Sequence, residues 1–166
     1  EVVVVRPSCV IGPHDFKPSK MGVALKGFYK KKFLFLPNGG YDLVDVRDLS
    51  ASICAAIELG INKEIYLLSG KYYRFKDLAK EIGMVREQKK TILILPNWIL
   101  TLSLPFVWLA GKITQTAPSL TKESIVAITE GHPEMNNEKA RSILHHKTRP
   151  LQESLRDIFN IKLNNT

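Results

Sequence analysis

Glu1-Val2-Val3-Val4-Val5-Arg6-Pro7-Ser8-Cys9-Val10-Ile11-Gly12-Pro13 opens the chain, and its first half decides the fold class. Four consecutive valines are stiff at χ1 and favour extended backbone. A β-branched run without alternation is the pattern of a strand buried on both faces of a parallel sheet, expected here over Val2 to Arg6. Pro7, with no N–H for a ladder, stops it. Glu64 to Ser69 is a second strand of parallel-sheet character.

Outward from this strand the pattern alternates β and α. After the loop Gly12-Pro13-His14-Asp15, residues from about Ser19 to Lys30 place Met21, Leu25 and Phe28 at helical spacing. Phe33 to Leu36 is a short strand closed by Pro37-Asn38-Gly39-Gly40, a turn sequence. Tyr41 to Asp48 reads as a short alternating strand running into a helix. Asp45 is its N-cap, and Asp48, three residues on, is a carboxylate variant of the capping box. That helix runs to about Leu59 and stops at Gly60, and a further helix, Phe75 to Ile82, ends at Gly83. Thr91 to Leu95 is a strand, Pro96 punctuates, and a helix begins near Asn97. Short helices are expected near Thr121 to Glu130, Asn137 to Leu144 and Leu151 to Asn160. The class is therefore mixed α/β, with no internal repeat.

With 166 residues, 45% of them hydrophobic and 24% charged, the chain has the composition of one globular domain. It starts on Glu1 with no basic leader, which reads as an excised piece. Two cysteines, Cys9 and Cys54, cannot build a disulfide framework, so a reducing, cytoplasmic setting is expected. The net charge of +8 invites an anionic partner, but Lys30-Lys31-Lys32 and Lys89-Lys90 are short runs without interleaved base-stacking aromatics. They read as a solvated basic face, and no nucleic acid is expected.

From Thr91 to Gly111 no residue is charged, a length nominally able to cross a bilayer. Pro96-Asn97 and Pro105 interrupt it, so a buried strand followed by a hydrophobic helix is the preferred reading over a membrane segment. Trp98, Leu102, Phe106 and Leu109 share one helical face, expected to pack inward or to cap an apolar pocket, with membrane partition as the competing outcome. His132, His145 and His146 fit no metal-ligand spacing, and His145-His146 are expected on different sides of a helix, so no metal is assigned.

Arg6-Pro7-Ser8-Cys9-Val10-Ile11-Gly12-Pro13, then Val44-Asp45-Val46-Arg47-Asp48-Leu49, then Tyr66-Leu67-Leu68-Ser69-Gly70 follow one another at defined intervals. The tail adds Asn136-Asn137-Glu138-Lys139-Ala140 and Arg149-Pro150-Leu151-Gln152-Glu153-Ser154-Leu155. This ordered set resembles the extended short-chain dehydrogenase/reductase family, the NAD-dependent epimerase/dehydratase superfamily, and most nearly its dihydroflavonol reductase-like branch. The resemblance spans the whole chain. It implies the carboxyl-terminal part of a Rossmann-type fold, with Val2 to Arg6 and Glu64 to Ser69 as its sixth and seventh strands, interleaved with the substrate-binding subdomain. The dinucleotide-binding half is absent, and no Gly-x-x-Gly-x-x-Gly loop occurs in the sequence.

The resemblance further implies that Pro7, Ser8 and Val10 line the nicotinamide and that Cys9, Met21 and Tyr41 meet the substrate. No catalytic residue is assigned within this chain, because the family's acid/base Tyr and Lys lie upstream of its first strand. NAD or NADP is the expected cofactor of the full-length protein, and none is expected on this chain alone. The implied partners are a small-molecule substrate, the missing amino-terminal half and a second copy meeting at the edge of the opening strand. Tyr72 and Lys76 reproduce the Tyr-x-x-x-Lys spacing as a decoy.

Plainer readings stand beside these: Pro7 as a strand end, Val10 as core, Cys9 as a small buried hydrophobe, and Asp45 and Asp48 as helix-start residues. The activity implied is reduction of a carbonyl or oxidation of an alcohol. The alternatives are a nucleoside-diphosphate-sugar epimerase or dehydratase and a non-catalytic binding or regulatory protein of the same fold. Where the sugar-nucleotide enzymes often carry a diphosphate-binding Arg and an Asn, this chain has Tyr41 and Cys9, which favours a less charged substrate.

Overall fold

The computed structural model describes residues 1–17, 19–96, 98–99, 102, 128 and 135–163, the last four of these by backbone alone. The elements are β1 (Val4–Pro7), β2 (Cys9–Ile11), α1 (Lys20–Lys30), β3 (Phe33–Pro37), β4 (Gly40–Asp45), α2 (Val46–Leu59), β5 (Ile65–Leu68), β6 (Lys71–Arg74), α3 (Phe75–Val85), β7 (Thr91–Leu95), α4 (Glu138–Ile143) and α5 (Leu151–Leu163). They fall into two units, the first of residues 1–25, 42–73 and 133–166, the second of residues 26–41 and 74–132.

In the first unit β1 and β5 pair in parallel, Val4 opposite Ile65 through Pro7 opposite Leu68. β2 pairs in parallel with β4, Cys9 opposite Leu43 and Val10 opposite Val44, and β6 joins the far edge of β4. Tyr66 and Leu68 are fully buried with Val44, Leu49, Ala56, Ala140 and Leu144, and Val3, Val5 and Val10 pack partly buried against them. The valine run thus supplies one face to a core. It is not buried on both faces as expected: β1 has only β5 beside it among the described strands, and Val2 and Val4 are exposed.

α2 starts where a side chain can cap it. Asp45 has extended backbone and its Oδ1 accepts from the Arg47 N–H at 2.9 Å. At the other end the Gly60 N–H donates to the Ala56 carbonyl at 3.1 Å. Asp48 does not complete a capping box, because its carboxylate is engaged by Arg149 instead. His145 and His146 follow α4 and are not within a helix. His145 adopts a left-handed φ of 53°, while His146 is buried, with Nε2 2.8 Å from the Ser69 carbonyl and Nδ1 2.7 Å from Ser52 Oγ. A carbonyl can only accept, so Nε2 carries a proton.

In the second unit β3 and β7 pair in parallel over five rungs, Phe33 opposite Thr91 through Pro37 opposite Leu95. Leu34 and Leu36 are buried, and α3 packs on the sheet with Leu78, Ala79 and Ile82 buried. Phe75 meets Phe28 and Tyr41 edge-on, with ring centroids 6.1 and 5.7 Å apart. The last carbonyls of α1 are satisfied by cations: Lys90 Nζ donates to the carbonyls of Tyr29 and Lys31 at 2.9 Å, and Arg86 donates to those of Tyr29 and Lys30. Burial, and the neighbouring Arg86 charge, hold the Lys90 ammonium below its ordinary pKa.

Two expectations are corrected in this unit. α3 does not end at Gly83 but continues to Val85. A Cβ at Gly83 would lie 2.8 Å from the Gln88 carbonyl oxygen, so glycine is there for close approach of the following turn. Residues 98, 99 and 102 are helical, but Trp98 and Leu102 do not pack inward, being 65% and 64% exposed. Asn97, Phe106, Leu109 and most of the helix expected over 121–130 lie outside the described residues.

Candidate functional site

Pro7 is the last residue of β1, at the carboxyl end of a parallel strand, the side on which ligands of open α/β sheets collect. The ladder extends one step further through the Ser8 N–H, which donates to the Leu68 carbonyl at 3.3 Å. Beyond this point, among the described residues, two hydroxyls are buried without a hydrogen-bond partner, Ser8 Oγ and Ser69 Oγ, each one residue past the paired ends Pro7 and Leu68. A buried hydroxyl left unmatched costs about 1–3 kcal/mol, so such a pair at a strand end marks a place where further groups belong.

Cys9 and Val10 follow on β2. Burial, aided by the Asp42 carboxylate, pushes the Cys9 thiol up to about 11, so it is a neutral, weak donor and not a thiolate nucleophile. Asp42 is itself buried and accepts from the Gly70 N–H at 2.7 Å. Val10 lines a cavity of about 250 Å³ with Gly12, His14, Asp15, Val46 and Ile158. Gly12 has a φ of 155°, and a Cβ there would lie 2.4 Å from Val46 Cγ1, so no other residue fits this turn unstrained. Asp15 accepts from the Ser19 N–H and hydroxyl at 3.1 Å at the cavity wall, and Ser19 Oγ accepts from the Gly22 N–H at 3.0 Å, capping α1.

Pro7 ends β1 and Cys9 and Val10 begin β2, with Ser8 between them; of the four, Val10 lines the cavity. Met21 lies half-buried in the first turn of α1, where its neighbours Gly22 and Leu25, not Met21, line the cavity. Tyr41 belongs to the second unit, where its ring packs against Phe75. Tyr72 stands on β6 and Lys76 on α3, so their spacing does not run along one helix. Among the described residues no group of His, Cys, Asp and Glu could hold a metal.

A charged network holds the base of this region. Asp45 Oδ2 receives Arg47 Nη2 at 2.8 Å and Ser154 Oγ at 2.5 Å, and Arg47 Nη1 donates to Asp157 at 2.5 Å. Arg149 clasps Asp48 through Nε at 2.9 Å and Nη2 at 2.7 Å, while its N–H donates to the other carboxylate oxygen at 2.8 Å. Burial works to raise the Asp45 pKa, but the Arg47 and Ser154 hydrogen bonds and the Arg47 charge outweigh it and hold the carboxyl below its ordinary value. The bond to Asp45 likewise raises Arg47, and that to Asp48 raises Arg149. Asp45 and Asp48 are thereby occupied in joining α2 to α5. Sequence reasoning missed Ser69 as an open hydroxyl; its place in Tyr66-Leu67-Leu68-Ser69-Gly70, directly after a buried strand, was the available signal.

No protein-family model matches the chain. Over 72 residues, 43% of its length, it is 33% identical to sterol demethylase protein B of Methylococcus capsulatus, covering 22% of that protein. Over 117 residues, 68% of its length, it is 26% identical to the Synechocystis sp. protein named "Putative dihydroflavonol 4-reductase", covering 33% of it. Among solved structures it is similar to a nucleoside-diphosphate-sugar epimerase from Pseudomonas aeruginosa, with TM-score 0.70 and 19% identity over 99% of this chain and 48% of that one. Other solved neighbours are complexes with NADPH or NAD. The chain spans about half the length of these structures and a third or less of the curated relatives. With its parallel strand pairs and intervening helices, it has the Rossmann-like α/β fold of the extended short-chain dehydrogenase/reductase and epimerase proteins it resembles, over about half their length.

Proposed function

We propose that this chain is the carboxyl-terminal, substrate-binding part of an NAD(P)-dependent oxidoreductase that reduces a carbonyl or oxidises an alcohol, its dinucleotide-binding half lying upstream. The observation that carries the reading is Ser8. Its hydroxyl is buried and unpartnered beside Pro7 at the carboxyl end of a parallel strand, which suits the hydrogen-bonding edge of a nicotinamide carboxamide. In this reading Pro7 and Val10 supply apolar wall that excludes water, and Ser8 orients the ring by its hydroxyl. Nicotinamide, when bound, supplies hydride transfer. Cys9, and on the resemblance alone Met21 and Tyr41, meet the substrate; a neutral thiol favours a weakly charged molecule over a diphosphate. The parent protein is an enzyme of the cytoplasm, and this chain alone turns nothing over.

The test uses the protein that carries this chain together with its upstream half. Ser8→Ala is expected to raise the KM for NAD(P)H about fivefold, the loss of one hydrogen bond, with kcat little changed. Thermal shift in the presence of NAD(P) is expected to show stabilisation by uncharged carbonyl compounds. Strong stabilisation by a nucleoside-diphosphate sugar, abolished when its diphosphate is removed, would replace this reading with the epimerase one.

A further inference from the structure

Among the described residues, the two-stranded sheet of the second unit has one face packed by α3 and apolar side chains exposed on the other. Leu34 and Leu36 point to the side packed by α3, whereas Phe33, Phe35 and Leu93 are 64%, 66% and 55% exposed. The register places Phe35 opposite Leu93 and Phe33 opposite Thr91, so the three apolar side chains form one patch on one face. Two aromatics and a leucine on a single short sheet are not the scattered apolar residues of an ordinary surface; a contiguous patch of this kind marks an interaction site. Trp98 and Leu102 in the same unit are exposed as well.

Charge sorts in the same direction. Residues 26–41 and 74–96 carry ten Lys and Arg against three Asp and Glu, +7 of the chain's formal +8, and residues 97–132 carry two of each. The excess therefore belongs almost entirely to the second unit. Lys30, Lys31, Lys32 and Lys89 are exposed. The Thr91 N–H donates to the Lys32 carbonyl at 2.9 Å, so the starts of β3 and β7 lie side by side and their lysines gather at one end of the patch.

We propose that this face docks on an anionic lipid surface, Phe33, Phe35 and Leu93 entering the interfacial region while Lys31, Lys32 and Lys89 meet acidic headgroups. Apolar and aromatic side chains beside a lysine cluster are the composition of an interfacial membrane contact, in which area burial and headgroup attraction add. Phe33 and Phe35 can stack on bases, but Leu93 on the same face offers no stacking platform and gains only from an apolar contact, which favours lipid. The contact is peripheral: among the described residues no helix is long and apolar enough to cross a membrane.

The test is co-sedimentation of the protein that carries this chain with its upstream half, using vesicles of phosphatidylcholine alone and vesicles containing phosphatidylserine, at low and moderate salt. Binding is expected to the anionic vesicles and to weaken with salt. The triple variant Phe33→Ser, Phe35→Ser, Leu93→Ser is expected to lose binding at least tenfold. Lys31→Gln, Lys32→Gln and Lys89→Gln are each expected to lose about fivefold on anionic vesicles only. Circular dichroism of each variant separates these losses from unfolding, and the fluorescence of a Trp108→Phe variant, which of this chain's tryptophans reports Trp98 alone, is expected to shift blue with vesicles and provides a second readout. Absence of binding at low salt, equal binding by the folded triple variant, or a dimer in solution that this triple variant dissociates would overturn the proposal. So would tighter binding to a single-stranded oligonucleotide than to the anionic vesicles.

Discussion

Cys9 and Cys54 are one residue type in two surroundings, and the difference is measurable. Cys54 is exposed on α2, whereas Cys9 is held neutral by burial and by Asp42. Iodoacetamide at pH 8 is expected to label Cys54 in the folded chain and to leave Cys9 unlabelled, as read by peptide mass mapping; comparable labelling of both thiols would contradict the burial of Cys9. The sign of the accompanying pH effect follows from the direction of the shift. An acid whose folded pKa is raised favours the folded state below its ordinary value near 9, and that contribution is lost as pH rises toward about 11. At this same scale Pro7 was legible as a strand stop because its chemistry is its own. The partnerless hydroxyls of Ser8 and Ser69 were not, because an unmet hydrogen bond is a property of the neighbours.

Helix α2 shows which parts of an element can be read locally. Asp45 caps an N–H two residues on and Gly60 closes on a carbonyl four residues back, so local spacing alone located them. Asp48 was misassigned because its partner, Arg149, lies 101 residues away; likewise α3 outruns Gly83 because the reason for that glycine is a carbonyl in the next turn. β6, Lys71 to Arg74, was overlooked since it carries no apolar pattern and is strand only by pairing beside β4. The network at the start of α2 also yields a test. Asp45→Asn keeps the cap's shape but removes one of the two carboxylates that Arg47 pairs with, leaving Asp157, and is expected to cost about 1–2 kcal/mol in urea unfolding. Because Asp45 has a depressed folded pKa, the contribution it makes is present above the ordinary value of 3.8 and fades as pH falls through the folded pKa. The gap between wild type and variant is accordingly expected to narrow below pH 3.8; a gap independent of pH across that range would show that charge is not its source.

For the whole molecule, the class of sheet was legible from one valine run, and the ligand side of that sheet followed from its direction. The complete binding site was not, because one chain segment supplies only some of its walls. Calorimetry is expected to find no micromolar binding of NAD or NADP to this chain alone, since it offers no glycine-rich loop for the pyrophosphate; a micromolar affinity would mean that the strand-end residues suffice.

The first unit is stitched from residues 1–25, 42–73 and 133–166, and a ribosome delivers those pieces in order. Asp45 and Asp48 leave the exit tunnel about a hundred residues ahead of Arg149 and Ser154, a wait of roughly 5–20 s at ordinary rates of synthesis. Until then Asp48 lacks the cation that clasps it and Asp45 has Arg47 but not Ser154, while the strand ladders wait for neither. The ladders β2–β4, β1–β5 and β3–β7 can thus close in that order as residues 45, 68 and 95 are made, and the joint of α2 with α5 is the last part of the first unit to become rigid.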